Sequence, residues 1–259
     1  MHTSANLQIS ASTLFAFVFV LARMSGVFVF IPLPGREAGP TLPRIALALG
    51  ATIALYARWP AVTLNTLTLP LAIFLMLSEM ALGAAVGLLV AFLTEAFTVG
   101  AQSLAMQAGY AYASVVDPST NADSDVLMVI AQLLAGLLFF TADLHLWVMR
   151  VFARSLELYP PGQFLLTRNV ATDIVQAGAG IFAIGLRLSL PIVVLLLLTE
   201  ITLSLVGRIS TQLHVAAHTA PVKMLLTLVA LSSILIVMPH LYRAYADQIL
   251  RLVERVLLH

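Results

Sequence analysis

The segment Gly100 to Asp125, GAQSLAMQAGYAYASVVDPSTNADSD, joins two long apolar blocks, Pro70–Phe97 and Val126–Phe140. Its first half is rich in glycine and alanine, and its second half is a polar turn in which Asp117 precedes Pro118. Irregular backbone at membrane depth is tolerated only where protein buries it or where it lines a water-filled cavity. We therefore interpret the segment as an ordered re-entrant element beside a pathway through the protein. A simple helix–loop–helix connection fits the same composition.

The composition is that of a membrane protein. Apolar residues make up 61% of the 259 residues and charged residues 10%, and the mean hydropathy is +1.01. Soluble chains average about 45–50% apolar and about 25% charged residues. A net charge of +1 excludes nucleic-acid binding through a basic field, and the lack of cysteine excludes disulfides and thiolate metal sites. The first residues show no cleavable leader pattern, so Ala11–Leu33 is predicted to remain as a first membrane helix.

The apolar residues fall into six zones of uneven length. Roughly 20 residues span a hydrocarbon core, so Ile45–Ala57 is short for a span, whereas Pro70–Phe97 and Ile174–Val206 are long for one untilted helix. This unevenness predicts an all-α integral membrane protein whose interrupted helices pack mainly on protein. The zones are Ala11–Leu33, Ile45–Ala57, Pro70–Phe97, Val126–Phe152, Ile174–Val206 and Pro221–Met238.

Seven charged residues interrupt these zones. At a bilayer centre each would cost about 2.5–3.5 kcal/mol, so each is expected to face protein, water or an opposite charge. Two interpretations remain open, a polar conduit with a proton relay and a set of interhelix pairs that fix the packing. The residues are Arg23, Glu79, Glu95, Asp143, Arg150, Arg187 and Glu200.

Histidines stand near some of the polar positions. His145 follows Asp143 by two residues, which allows either a proton-relay pair or a packed polar pair. His214 and His218 stand four residues apart but have no third ligand nearby, so solvated loop histidines are favoured over a metal site. No metal site is therefore predicted.

A small-residue face is predicted on the third zone. Glu79, Gly83 and Gly87 recur every four residues, which places one carboxylate and two glycines on the same side of a helix. Because glycines let backbones approach closely, this face is expected to pack against a neighbouring helix.

The last third of the chain has the pattern of a hairpin followed by an amphipathic tail. From Pro191 onward an apolar arm leads to a polar bend at Arg208–Thr219 and a second apolar arm that opens with Pro221 and Lys223. In the tail, His240–His259, apolar and charged residues fall on opposite helix faces. The tail is expected to lie on the membrane surface or to dock on a partner.

The sequence contains no common catalytic motif. It has no G-x-S-x-G, no H-E-x-x-H, no Walker loop and no dinucleotide fingerprint. A protein that is not an enzyme and that uses no cofactor is therefore predicted.

Taken together, these motifs resemble the FliR family of flagellar type III export proteins, whose virulence-secretion relatives are called SctT. The resemblance runs from about residue 14 to about residue 257, and the Asp-Pro form of the central loop is more like the flagellar branch. The motifs that carry it are Ala22-Arg23-Met24-Ser25-Gly26 with Pro32, Pro43-Arg44-Ile45-Ala46-Leu47-Ala48-Leu49, Glu79 with Gly83 and Gly87, Gln107-Ala108-Gly109-Tyr110-Ala111 through Asp117-Pro118, Asp143-Leu144-His145 with Ser155, Leu158, Pro160 and Gly162, and Pro191 through Glu200, Gly207, Arg208, Gln212, Pro221 and Lys223.

The resemblance implies a subunit of a helical export gate in the bacterial inner membrane, at the flagellar basal body. Its implied partners are FliP-like and FliQ-like subunits, FlhB-like and FlhA-like proteins, unfolded exported flagellar proteins and membrane lipid. It implies a single domain over residues 1–259, with a FliP-like part at about 1–162 and a FliQ-like hairpin with its tail at about 174–259. It also implies a plug loop at about 109–121, whose candidate residues are Gly109, Tyr110, Ala111, Tyr112, Ala113, Ser114, Val115, Val116, Asp117 and Pro118.

The hairpin bend departs from the family pattern. Thr211-Gln212-Leu213-His214 stands where the family usually has Pro-Gln-Leu-Asn, which leaves Gln212, Pro221 and Lys223 as the bend residues that match. The alternative from another class is a small secondary transporter that uses Glu79, Asp143 and Arg187. A transporter should show two matching halves, and the sequence shows no such internal repeat.

Overall fold

The computed structural model describes residues 10–31, 41–61, 68–108, 126–158, 168–209, 215–235 and 238–258, and all regular structure in them is helical. The prediction of an all-α membrane protein is confirmed. The elements are α1 (Ala11–Phe30), α2 (Thr41–Ala54), a 3-10 turn (Tyr56–Arg58), α3 (Leu69–Ala108), α4 (Val126–Thr141), α5 (Leu144–Leu158), α6 (Arg168–Ile209), α7 (Val215–Leu235) and α8 (Met238–Leu258).

Local sequence explains where α1 begins and ends. The Ser10 hydroxyl accepts a hydrogen bond from the backbone N–H of Thr13 at 3.2 Å, which caps one of the free donors of the first turn. Ile31 leaves the helical region of backbone space because it precedes Pro32. The helix therefore stops short of the predicted Leu33.

The predicted fourth zone, Val126–Phe152, is broken at a corner. Asp143 has a φ of 56°, a left-handed conformation that ends α4, and its carbonyl oxygen accepts the backbone N–H groups of Leu146 and Trp147 at 3.1 Å, which starts α5. The two helices meet at 59°. The zone is therefore an interrupted helix, and Asp143 marks the break.

Helix α3 continues through the first part of the segment interpreted as re-entrant. The prediction of irregular backbone from Gly100 is wrong as far as Ala108, because residues 100–108 extend α3 to 40 residues, or about 60 Å. The small residues of this stretch, Gly100, Ala101, Ala105 and Ala108, are buried, so they permit close packing rather than a loop. Residues 109–125, with every candidate plug residue, lie outside the described part of the chain.

Helix α6 is a single helix of 42 residues that contains Pro191 in its interior. The predicted hairpin arm that opens at Pro191 is thus the second half of a longer helix. Helix α7 returns along α6, which agrees with a hairpin over this region. The bend residue Gln212 lies outside the described residues, and Pro221 is exposed inside α7.

The core forms around α3, whose most extensive contacts are with α1 and α6. The main apolar cluster also takes in side chains from α2, α4, α5 and α8. The tail helix α8 packs its apolar face on this cluster, and the rings of Tyr242 and Phe97 lie 5.2 Å apart. The tail therefore docks on its own chain, where a membrane surface or a partner was predicted, and Leu241 alone of the predicted face is clearly exposed.

Among the described residues, three helices are long and apolar enough to cross a membrane. They are α1, α3 and Val170–Ile209 of α6, and the bent pair α4 and α5 would add a fourth if it acts as one span. Leu42–Ala54 of α2 and Pro221–Ser232 of α7 are apolar but shorter. The uneven lengths predicted from the sequence are therefore present in the fold.

Candidate functional site

Helices α1 and α3 cross with their backbones in contact. A Cβ atom placed on Gly83 would lie 2.0 Å from the carbonyl oxygen of Arg23, and one on Gly26 would lie 2.4 Å from the carbonyl oxygen of Met80. On Gly87 it would lie 2.7 Å from the carbonyl oxygen of Val27. Any side chain at these three positions would force the helices apart. The neighbour of the predicted glycine face is therefore α1 of the same chain.

A buried ion pair fixes this crossing. The Arg23 guanidinium is fully buried and donates through Nε to the Glu79 carboxylate, which is 1% exposed. Its Nη1 donates to the Ser155 hydroxyl at 3.0 Å, and that hydroxyl donates to the carbonyl oxygen of Phe152 at 2.8 Å. The network ties α1, α3 and α5 together. Of the two interpretations left open for these charges, the geometry favours interhelix pairing.

A second glycine crossing joins α3 to α6. A Cβ atom on Gly185 would lie 2.8 Å from the carbonyl oxygen of Ala96, and one on Gly100 would lie 3.0 Å from the carbonyl oxygen of Gly185. Sequence reasoning missed Gly185, although a glycine inside a long apolar run without other turn residues is a signal for a close approach.

The last turn of α3, from which the predicted plug loop departs, is held by a polar clamp and a small apolar cluster. Oε2 of Glu200 on α6 accepts from Lys223 Nζ on α7 at 3.0 Å and from Gln107 Nε2 on α3 at 3.5 Å. We call these three residues the loop clamp. Beside it, a separate cluster buries Leu104, Ala108, Ile192 and Leu196. The three helices thus meet at the last turn of α3.

The other predicted polar residues do not converge. Asp143 and Arg187 are exposed, Asp143 because it occupies the corner between α4 and α5 and Arg187 because it lies on an outward face of α6. The Glu200 side chain is 51% exposed. Within this chain these three groups therefore lie on the surface, and Glu200 faces the opposite charge of Lys223. Glu95 and Arg150 are exposed as well.

His145 lies at an apolar cavity of about 320 Å³ between α1, α2, α4 and α5. Its ring packs on Phe140, with centroids 5.1 Å apart, and its Nδ1 is buried without a hydrogen-bond partner among the described residues. The neighbouring Asp143 is exposed at the corner, and among the described residues no hydrogen bond or ion pair joins it to His145. Within the described part of the chain, no three histidine or acidic side chains are grouped as a metal site would require.

These observations define, over the described residues, an all-helical membrane protein whose long central helix packs on two other long helices and is held at its last turn by a polar contact. Residues 14–249 match the family of bacterial export proteins, family 1, and the chain belongs to that family. The resemblance drawn from the motifs is thereby confirmed, and the transporter alternative is not supported.

Several curated relatives cover most of the chain. It is 29% identical over 195 residues to the flagellar biosynthetic protein FliR of Escherichia coli K12, which covers 75% of this chain and 74% of that protein. It is 28% identical over 237 residues to the protein of the same name from Pectobacterium carotovorum, with 89% and 88% covered. The Bacillus subtilis protein of that name is 25% identical over 222 residues, with 83% and 84% covered.

Proposed function

We propose that this chain is a subunit of the flagellar type III protein export apparatus and forms part of the wall of its protein-conducting gate. The observation that carries the proposal is the family match over residues 14–249, together with seven relatives that are all named flagellar biosynthetic protein FliR. The proposed location is the bacterial inner membrane at the flagellar basal body. The role is structural and conductive, without catalysis or a cofactor.

The rigid part of the gate is the crossing of α1, α3 and α5. Because its backbones touch and its ion pair is buried, this region has little room to move. It fixes the position of α3, and the proposed plug residues follow directly after the end of α3. The crossing therefore sets the position of the loop relative to the path of the exported protein.

The gate also needs a movable part, and we assign this role to the plug residues predicted from the sequence. In our proposal Gly109–Pro118 forms a compact plug, in which small residues allow tight folding and the side chains of Tyr110, Tyr112, Val115 and Val116 exclude water and ions. The loop clamp supports this role, since a half-exposed contact of Glu200 with Lys223 is weaker than a buried one and can release. Unfolded flagellar proteins would displace the plug when they pass.

The proposed partners cover the apolar faces that the chain leaves exposed. Helices α6 and α7 expose large apolar side chains along much of their length, among them Leu186, Leu198, Ile201 and Leu225. Exposed apolar stretches of this size mark lipid or protein contacts. FliP-like and FliQ-like subunits are the proposed neighbours, with FlhB-like and FlhA-like proteins in the same apparatus and membrane lipid on the remaining surface.

Deletion of the plug residues tests the proposal. Cells that carry a chain shortened within 109–116 should still assemble the apparatus, because α3 and α6 carry the packing, but should leak ions and small solutes. The measurements are co-purification with the other export subunits, ion conductance, and flagellar proteins in the culture medium. The control is the full-length chain with Tyr110→Phe, which keeps the aromatic bulk. A deletion that assembles, exports and leaks nothing would show that the seal lies elsewhere.

A further inference from the structure

A polar cavity lies between the first turns of α6 and the tail helix α8. Its volume is about 420 Å³, and it is separate from both glycine crossings and from the loop clamp. Its polar lining comes from Asp173 and Gln176 on α6 and from Tyr245, Gln248, Arg251 and Arg255 on α8. Two of these residues are cations and one is an anion, so the lining carries a net positive charge.

The polar groups of this cavity are incompletely paired. The Tyr245 side chain is buried, with 8% of the residue exposed, and its hydroxyl has no hydrogen-bond partner among the described residues. This hydroxyl is buried behind the cavity wall and does not reach the cavity. Burial raises the pKa of Tyr245 to about 12, so the hydroxyl remains a donor at neutral pH. Arg255 Nη1 lies 3.9 Å from Asp173, a loose contact that leaves most donors of the guanidinium available.

The other half of the cavity lining is apolar. Ala177 and Ile184 on α6 face Ile249 and Leu252 on α8 across it. From Phe182 onward α6 exposes mainly large apolar side chains, whereas before Phe182 its exposed face mixes the polar Arg168, Thr172 and Gln176 with Val175. The cavity thus lies where a helix long enough to cross a membrane passes from a mixed to a mainly apolar surface. This is the depth at which lipid headgroups meet acyl chains.

We propose that this cavity binds the phosphate headgroup of an anionic membrane phospholipid. Arg251 and Arg255 provide the charge for the phosphate, and guanidinium groups match phosphate oxygens in geometry. Gln176 and Gln248 serve the headgroup hydroxyls, and the apolar lining receives the first acyl methylenes. Asp173 holds Arg255 at the cavity. A free phosphate shares the anion chemistry but leaves the apolar half unfilled.

Native mass spectrometry of the full-length chain, purified with its export partners, tests the proposal. The probes are phosphatidylglycerol, phosphatidylcholine with the same acyl chains, and inorganic phosphate. Phosphatidylglycerol should be retained preferentially, and Arg251→Gln with Arg255→Gln should weaken its binding by about tenfold or more. Tyr245→Phe, which keeps the ring and removes a hydroxyl that does not reach the cavity, should leave phosphatidylglycerol binding unchanged.

The matched control is Arg243→Gln on the same helix. Arg243 is exposed and lies outside the cavity lining, so its loss removes the same charge from α8 without touching the site. Lipid binding of this variant should equal that of the natural chain. Equal retention of the two lipids, an equal loss in the control, or displacement of phosphatidylglycerol by inorganic phosphate would each overturn the assignment to a lipid.

Discussion

The crossing of α1, α3 and α5 differs from the junction of α3, α6 and α7 in how completely the chain buries and pairs its own charged and apolar side chains. At the crossing, Arg23 and Glu79 are 0% and 1% exposed and paired with each other. At the junction, the Glu200 side chain of the loop clamp is 51% exposed, and the apolar cluster beside it is small. The first region is complete within the chain. The second leaves polar and apolar groups exposed, as the proposed place in an assembly requires.

The largest effect is expected from filling the crossing. Gly83→Leu places a side chain where backbone atoms of α1 already stand, so it should lower the free energy of unfolding by at least about 3 kcal/mol and abolish swimming. The measurements are the amount of folded protein in membranes and swimming in soft agar. Gly50→Leu is the control, because nothing lies within 4 Å of that position. If both variants accumulate and export alike, the crossing is not the rigid part of the chain.

The next largest effect is expected from removing one partner of the buried pair of Arg23 and Glu79. Arg23→Met leaves the Glu79 carboxylate buried without its counter-charge, which should cost about 3–5 kcal/mol of unfolding free energy. Replacing both residues by methionine should recover most of that loss, since no charge then remains buried. Unfolding in a denaturing detergent measures both values. A double variant as unstable as Arg23→Met would contradict a role limited to charge pairing.

A smaller effect is expected at the loop clamp. Lys223→Met breaks a contact whose carboxylate is half exposed, so solvent screening limits the loss of stability to about 1 kcal/mol or less. Its functional effect should be larger, because the last turn of α3 loses a restraint and the closed gate should conduct ions more often. Conductance recordings compare it with Lys223→Arg, which keeps the charge. If both variants conduct ions equally, the loop clamp does not help to keep the gate closed.

The smallest effect is expected from the ion pair between Arg58 and Glu157. Their side chains are 48% and 51% exposed, and the pair belongs neither to the buried network of Arg23 nor to the loop clamp. Arg58→Ala should change the free energy of unfolding by about 0–1 kcal/mol and leave swimming intact. A loss comparable to that of Arg23→Met would show that burial does not separate the strong pairs from the weak ones.

The sequence predicted the helical class, the glycine face on α3 and the amphipathic tail, because each depends on the spacing of residues within one helix. It did not predict that Arg23 pairs with Glu79, since the two are 56 residues apart and only the crossing brings them together. It also placed the end of α3 too early. Glycine and alanine at 100–108 have the composition of a loop, and only the presence of α6 makes them packing residues.

The remaining differences between prediction and structure concern helix faces whose neighbours the sequence does not reveal. The tail has the pattern of a surface helix, and it packs instead on α3 and α5 because the chain supplies its own apolar partner. Arg187 interrupts an apolar run and is exposed, because a helix of 42 residues presents faces that the rest of the chain does not cover. Periodicity predicts that a helix has a buried face, and the fold decides what covers it.

The central claim is that other subunits of the export apparatus complete the exposed face of α6 and α7. A diazirine amino acid placed at position 198 or 225, where the natural leucines are 57% and 65% exposed, will crosslink on illumination to whatever covers that face. In swimming cells we expect covalent adducts with a second protein of the apparatus, identified by peptide mass spectrometry, and none when position 86, which is fully buried, is labelled. Adducts with lipid alone at both exposed positions, in cells that still export and swim, would contradict the claim.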